Sequence, residues 1–139
     1  TAARSAVRTL VVRLEPGRDL RLELLAVLER EGIEAAYVAT CVGSLDRFCL
    51  RFAGESEGTS IEGAYEILAL VGTLSRHGCH LHASLGDGSG ATTGGHVLAG
   101  CRVRTTAEVV LGVLDDLVFT REHDEATGCP EPVVRPRPA

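Results

Sequence analysis

Residues 77–101, HGCHLHASLGDGSGATTGGHVLAGC, constrain this chain more than any other stretch. They hold four of the five histidines, two of the five cysteines and the densest glycine punctuation in the protein. The pattern reads as a β-hairpin. Residues two apart in a strand project to one face, so His80 and His82 share a face that Ser84 continues, while Leu81, Ala83 and Leu85 take the buried side. Asp87-Gly88-Ser89-Gly90 must then reverse the chain. A three-residue loop of Gly88, Ser89 and Gly90, with Gly90 left-handed, is a common hairpin connection. It sets Asp87 opposite Ala91 and, counting back along both strands, His82 opposite His96. Directly opposed Cβ atoms lie about 4.5–5.5 Å apart, and His80 takes the neighbouring diagonal. Register decides the outcome. A two-residue turn would send His96 to the far face, and a bulge at Gly94-Gly95 would shift it.

Three imidazoles converging on one face form a candidate site for zinc or a similar borderline metal. His80, His82 and His96 would be its ligands, with the fourth position open as in catalytic zinc sites. The competing reading is three polar surface or interface histidines that bind nothing, because H-x-H recurs by chance. Cys79 has the parity of Leu81 and faces away from His80 and His82. Cys101 stands an odd number of residues from His96 and also faces away unless a bulge intervenes.

A chain of 139 residues suits one domain with one core. The apolar fraction is 45%, with no Trp or Met and aromatics at only 4%, so that core must be built from Val, Leu, Ile and Ala. No run of about 18 apolar residues exists to span a membrane. The opening TAARSAVRTLVVRL lacks the long apolar stretch and cleavage site of a signal peptide. Five cysteines are an odd number, and four of them lie in apolar runs, as buried reduced thiols do. A cytoplasmic protein is the expectation. The net charge of −5 opposes nucleic acid, whose affinity for proteins rests on basic side chains neutralising phosphates.

Along the chain, residues 7–14 read as a strand and Glu15-Pro16-Gly17 as a turn. Asp19 is a good N-cap and Gly32 a C′ residue for one long helix between them. Leu22, Leu25, Ala26 and Leu28 fall within one helical stripe, and Glu23, Glu29, Arg30 and Glu31 cover the outer face. AAYVATCVGSL is a buried strand ending near Gly43-Ser44. DRFCLRF is a separate, half-buried strand with Phe48, Leu50 and Phe52 on one parity. GESEGTSIEG is an exposed loop, and AYEILALVGTLS is the next strand. TTAEVVLGVL fits either a short helix or a strand, and LVFTREHDE is a final strand. The pattern predicts one domain over residues 1–128 and a proline-rich tail, extended or mobile, over 129–139. The fold class is α+β: a largely antiparallel sheet packed against one long helix, or two helices.

The middle and end of the chain resemble a known family. Tyr65-Glu66-Ile67-Leu68-Ala69-Leu70-Val71-Gly72-Thr73-Leu74 is similar to its "FEILSLSGT" strand. His80-Leu81-His82-Ala83-Ser84-Leu85 with Gly94-Gly95-His96-Val97 is similar to its "LHASL…GGH" hairpin. Thr106-Ala107-Glu108-Val109-Val110, Phe119-Thr120-Arg121-Glu122, Asp124 and Thr127-Gly128 resemble its closing segments. The family is the plant and prokaryote conserved (PPC) domain, which stands alone in prokaryotes and follows AT-hook DNA-binding segments in plants. The resemblance implies an antiparallel sheet packed on a helix, a homotrimer, and a histidine-lined zinc site at His80, His82 and His96. It also implies a DNA-binding assignment by association with the plant relatives. An AT-hook needs Arg-Gly-Arg-Pro in an A·T minor groove. Here Arg135-Pro136-Arg137-Pro138 puts a stiff proline where the backbone must approach closely, so the tail reads as a solvated terminus.

Other candidates carry less. Gly86-Asp87-Gly88-Ser89-Gly90 lacks the Lys-Ser/Thr ending of a phosphate loop and reads as a turn. Glu66, an acid in an apolar strand, is a candidate general base or the partner of Arg47 or Arg102. Asp115-Asp116 reads as a turn, and His77 and His123 as exposed residues outside the site. Two functions follow: a trimeric binding or regulatory protein whose metal is structural and whose partner is DNA or another protein or, alternatively, a small zinc-dependent enzyme acting on a small-molecule substrate.

Overall fold

A computed structural model describes the whole chain, Thr1–Ala139. Eight strands and one helix follow in the order β1 (Arg8–Leu14), α1 (Leu20–Glu31), β2 (Ala36–Arg51), β3 (Thr59–Ser75), β4 (Gly78–Gly86), β5 (Thr92–Val97), β6 (Arg102–Val113), β7 (Leu117–Asp124) and β8 (Cys129–Pro136). Every pairing is antiparallel. Six strands form one sheet in the order β1-β6-β2-β3-β4-β5, and β7 with β8 forms a second, two-stranded sheet.

The α+β expectation holds in its coarse form, but the helix is short. It has 12 residues, about 18 Å at the usual rise per residue. Its ends are where the caps place them. The Asp19 carboxylate accepts the Leu22 N–H at 2.9 Å, and Gly32 is left-handed at φ 63°. Its buried face differs from the expected stripe. Leu20, Leu24, Val27 and Leu28 turn into the core, whereas Leu22 is 51% exposed. The helix carries apolar residues on more than one stripe, and packing against β3, β4 and β6 selects among them.

Two strand boundaries also differ from expectation. Residues 36–51 form one strand rather than two, because β2 absorbs irregularities around Leu45 and Arg47 instead of breaking. β3 begins at Thr59, inside the expected loop, where pairing of Thr59–Glu62 with Leu50–Arg47 of β2 satisfies the backbone of a polar stretch. The ambiguous segment after Cys101 is a strand, β6, held between β1 and β2, where its valines pack well. The last residues of the chain include β8, paired with β7 from Leu117↔Pro136 to Asp124↔Cys129. Pro130, Pro132 and Pro136 share one parity, so their missing N–H groups are tolerable on an edge strand.

One pairing shapes the molecule. β5 pairs not only with β4 but also with β2, through Leu50↔Val97 and Arg51↔His96. The β2-β3-β4-β5 part of the sheet therefore curls back on itself. Phe48, Leu50, Leu81, Leu85 and Val97 are buried in the same apolar core as the inner face of α1. No helix of the protein is long and apolar enough to cross a membrane.

Candidate metal centre

The histidine hairpin has the register that its alternation and loop predict. Gly86 pairs with Thr92, the Asp87 N–H donates to the Ala91 carbonyl at 2.9 Å, Gly90 has φ 83°, and His82 stands opposite His96. Register runs without interruption from Thr92 to His96, so no bulge intervenes at Gly94-Gly95. The Asp87 carboxylate ties the loop by accepting from the Ser89 and Ala91 N–H groups at 2.8 and 3.0 Å. The Ser89 hydroxyl, which donates to the same carboxylate at 2.7 Å, and then these N–H groups hold Asp87 below the usual carboxylate range.

Leu81, Ala83 and Leu85 are buried on one side of β4, which leaves His80 and His82 to the other. Ring centroids lie 4.9 Å apart for His80–His82, 5.1 Å for His80–His96 and 5.6 Å for His82–His96. The Nε2 atoms of His80 and His82 are 3.1 Å apart, and one ligating nitrogen from each of the three rings falls within 4.8 Å of the others. Tetrahedral zinc with nitrogens at 2.0–2.1 Å needs those nitrogens roughly 3.3–3.4 Å from one another. His80 and His82 stand at about that spacing, the nitrogen of His96 lies within 4.8 Å of both and needs a ring rotation to close on a shared ion, and neutral imidazoles are the donors zinc prefers. Both half-buried rings favour the neutral form. Burial, then the proximity of His82, lowers His80. Burial, then the Arg51 guanidinium, lowers His96 to about 4.

Gly95 makes the convergence possible. A Cβ at this position would lie 2.8 Å from the Arg51 carbonyl oxygen, so only glycine lets β5 approach β2 closely beside His96. The three histidines open onto a pocket of about 600 Å³, walled also by Arg51, by the turn after β2 that includes Glu55, and by Cys129 of β8. None of these three residues is evident from the hairpin alone. Arg51 and His96 are neighbours only because β2 pairs with β5. Cys129 arrives through β8, and its place at the head of an alternating CPEPVV run is the one local hint of a strand.

The remaining candidates lie elsewhere. Glu66 is an exposed residue of β3, opposite Ser44 and Gly86 and apart from the pocket lining. Arg102 pairs with Asp46 at 2.6 Å and Glu62 at 3.9 Å rather than with Glu66. His77 Nε2 meets the Glu34 carboxylate at 2.6 Å, and His123 sits on the exposed β7–β8 ribbon. Cys79 and Cys101 are buried away from the rings. The Cys101 thiol donates to the Cys49 carbonyl at 3.4 Å, and burial pushes it up to about 11. Asp115 and Asp116 bind the N-terminal segment, Asp115 to the Arg8 guanidinium and Asp116 to the Ala6 N–H at 2.8 Å.

The same architecture recurs in solved structures. A hypothetical protein from Salmonella enterica superimposes with a TM-score of 0.95 at 38% identity, over 97% of this chain and 98% of that one. A metal-containing protein from Archaeoglobus fulgidus superimposes with a TM-score of 0.78 at 26% identity, over 96% of this chain and 99% of that one. Among curated proteins, the bifunctional protein GlmU of a Synechococcus strain is 41% identical over 123 residues, covering 88% of this chain. The chain spans about a fifth of the length of the curated relatives it matches, 20% of each. The family model of the Plants and Prokaryotes Conserved (PCC) domain matches residues 1–115. With that match, the curled antiparallel sheet and the LHASL…GGH hairpin, this chain belongs to the PCC domain family.

Proposed function

We propose that this PCC domain holds a zinc-like divalent cation on His80, His82 and His96, with its fourth coordination position open to the pocket. The observation that carries the reading is the convergence of three ring nitrogens within 4.8 Å. The likeness to a metal-containing archaeal protein supports it. No cysteine or carboxylate of the chain completes the cluster, as expected for a centre that receives a ligand rather than one that only staples the fold. Such an ion, when bound, supplies a Lewis acid or a water acidic enough to react at neutral pH. His80, His82 and His96 would hold it, β5 and its close contact with β2 would orient His96, and Glu55 offers a carboxylate at the pocket wall. That arrangement favours a role on a small molecule. Elemental analysis of the purified protein tests it: about one metal per chain is expected, lost in His82→Ala. A wild-type protein that neither retains zinc nor takes it up on titration overturns the reading.

The homotrimer belongs to the same proposal. Val11 (67% exposed), Val42 (61%), Leu68 (57%) and Val71 (56%) are bare apolar residues of the sheet, and Val71 stands opposite His82. An apolar surface of this kind next to a polar site suits contact with further copies of the chain. Sedimentation analysis checks it, with three copies expected and a monomer at micromolar concentration contradicting it. The regulatory role with DNA as partner rests on the family resemblance. The net charge of −5 works against it, and Arg135 of the Arg-Pro-Arg-Pro run is engaged by Glu122 at 2.8 Å. A duplex titration at physiological salt decides: tight, sequence-dependent binding restores the role, and weak, salt-abolished binding removes it.

A further inference from the structure

Arg51 is the one guanidinium on the wall of the histidine pocket. It is the register partner of His96 across the β2–β5 closure, and opposed residues of an antiparallel pair have Cβ atoms about 4.5–5.5 Å apart. Its charge is felt by both half-buried rings. Other arginines have carboxylate partners, Arg76 on Glu29, Arg102 on Asp46 and Arg135 on Glu122; Arg21 and Arg47 are partly buried and unpaired as well, but neither lines the pocket. Arg51 has neither an ion pair nor a side-chain hydrogen bond, although it is partly buried. A partly desolvated, unpaired guanidinium beside a pocket is costly unless something else pairs with it.

We infer that the pocket takes a small carboxylate anion, which Arg51 holds at one end while its other end faces the three histidines. This rests on the metal-centre reading for the histidine end and on Arg51 alone for the carboxylate end. The chemistry is specific. A guanidinium presents two parallel N–H groups that match the two oxygens of a carboxylate. The other charge on the wall is Glu55, an exposed acid of the turn after β2. A divalent cation plus Arg51 outweighs it, so the pocket is locally positive within a chain of net charge −5. A neutral or cationic ligand would leave that excess uncompensated, whereas an anion removes it. The pocket, at about 600 Å³, is of the size that small ligands occupy.

Calorimetric titration of the zinc-loaded, full-length protein with malonate, and with the uncharged malonamide as control, tests this. Wild type is expected to bind malonate and to ignore malonamide. Arg51→Gln should weaken malonate at least about tenfold, the cost of one charge-assisted contact, while keeping its zinc content and its circular dichroism. Arg51→Lys keeps the charge without the fork and should fall between the two. Equal malonate affinity in wild type and a zinc-replete Arg51→Gln protein overturns the inference, as does a wild-type protein that binds no malonate. The metal reading fails separately, through the elemental analysis. If no zinc is held, the same titrations on the metal-free protein still report whether Arg51 binds the anion.

Discussion

The β4–β5 hairpin buries Leu81, Ala83, Leu85 and Val97 beneath its histidines, whereas the β7–β8 hairpin shows solvent most of its side chains. The first is held by apolar packing and by strands on both flanks, β3 and β2. The second is a ribbon anchored by polar contacts. The Phe119 N–H donates to the Glu34 carbonyl at 2.8 Å and the Ser75 hydroxyl to the Phe119 carbonyl at 2.7 Å, while Arg135 meets Glu122 at 2.8 Å within the ribbon itself. Both reach the same pocket, one with three rings and the other with Cys129. The difference separates two tasks. Ligand geometry needs a rigid base, which burial provides, while a pocket wall that adapts to its contents can rest on exchangeable hydrogen bonds.

Core substitutions should break this contrast most sharply. Leu85→Ala removes a fully buried side chain behind the histidine face and is expected to cost about 2–5 kcal/mol of stability. Val133→Ala in half-buried β8 should cost about 1 kcal/mol or less. Urea unfolding read at constant m-value compares the two. Equal losses would show that the ribbon is as much core as the hairpin.

A somewhat smaller effect is expected at Gly95. Gly95→Ala places a methyl against the Arg51 carbonyl and should cost about 1–3 kcal/mol through overpacking. It should also weaken zinc uptake, because β5 must move off β2 and carry His96 with it. Unchanged metal affinity in a destabilised protein would separate the β2–β5 closure from the site.

Acid should probe the two hairpins in different windows. His96 in the metal-free protein is expected to titrate at about 4, held down by burial first and by Arg51 second. The unfolded chain binds that proton near the ordinary histidine value, so this group favours the folded state above that value, and the advantage is lost as pH falls towards 4. Glu122 is held below the ordinary carboxylate range by its hydrogen bond to Arg135. Its contribution is present above that range and lost only as pH falls through the lowered value, so the ribbon responds at more acidic pH. Proton NMR of the imidazole signals reads the first directly. Arg51→Gln should raise the His96 value, and a His96 that titrates at its ordinary value in wild type contradicts the burial argument.

The smallest effect belongs to the exposed Arg135–Glu122 pair. Glu122→Gln should shift the urea midpoint only marginally at neutral pH, since solvent screens such pairs. A clear loss would mean that the ribbon depends on this contact and that its charge pattern is structural.

What could be read from residues alone was what neighbours along the chain decide. The period of two puts His80 and His82 on one side of β4, the loop Gly88-Ser89-Gly90 sets His82 against His96, and Asp19 and Gly32 bound the helix. Each depends on backbone geometry over a few positions. Tertiary structure decided what depends on contacts between distant segments. It chose Leu24 and Val27 over Leu22 as the helix's inner face, and it drew the polar residues 59–63 into β3. It also closed β5 onto β2, bringing Arg51 to His96 although they stand 45 positions apart in sequence, and paired the proline-rich end with β7. Alternation and turn chemistry act locally, but which strand a bare edge meets is settled only when the whole core packs, because apolar burial is non-directional and roughly proportional to area.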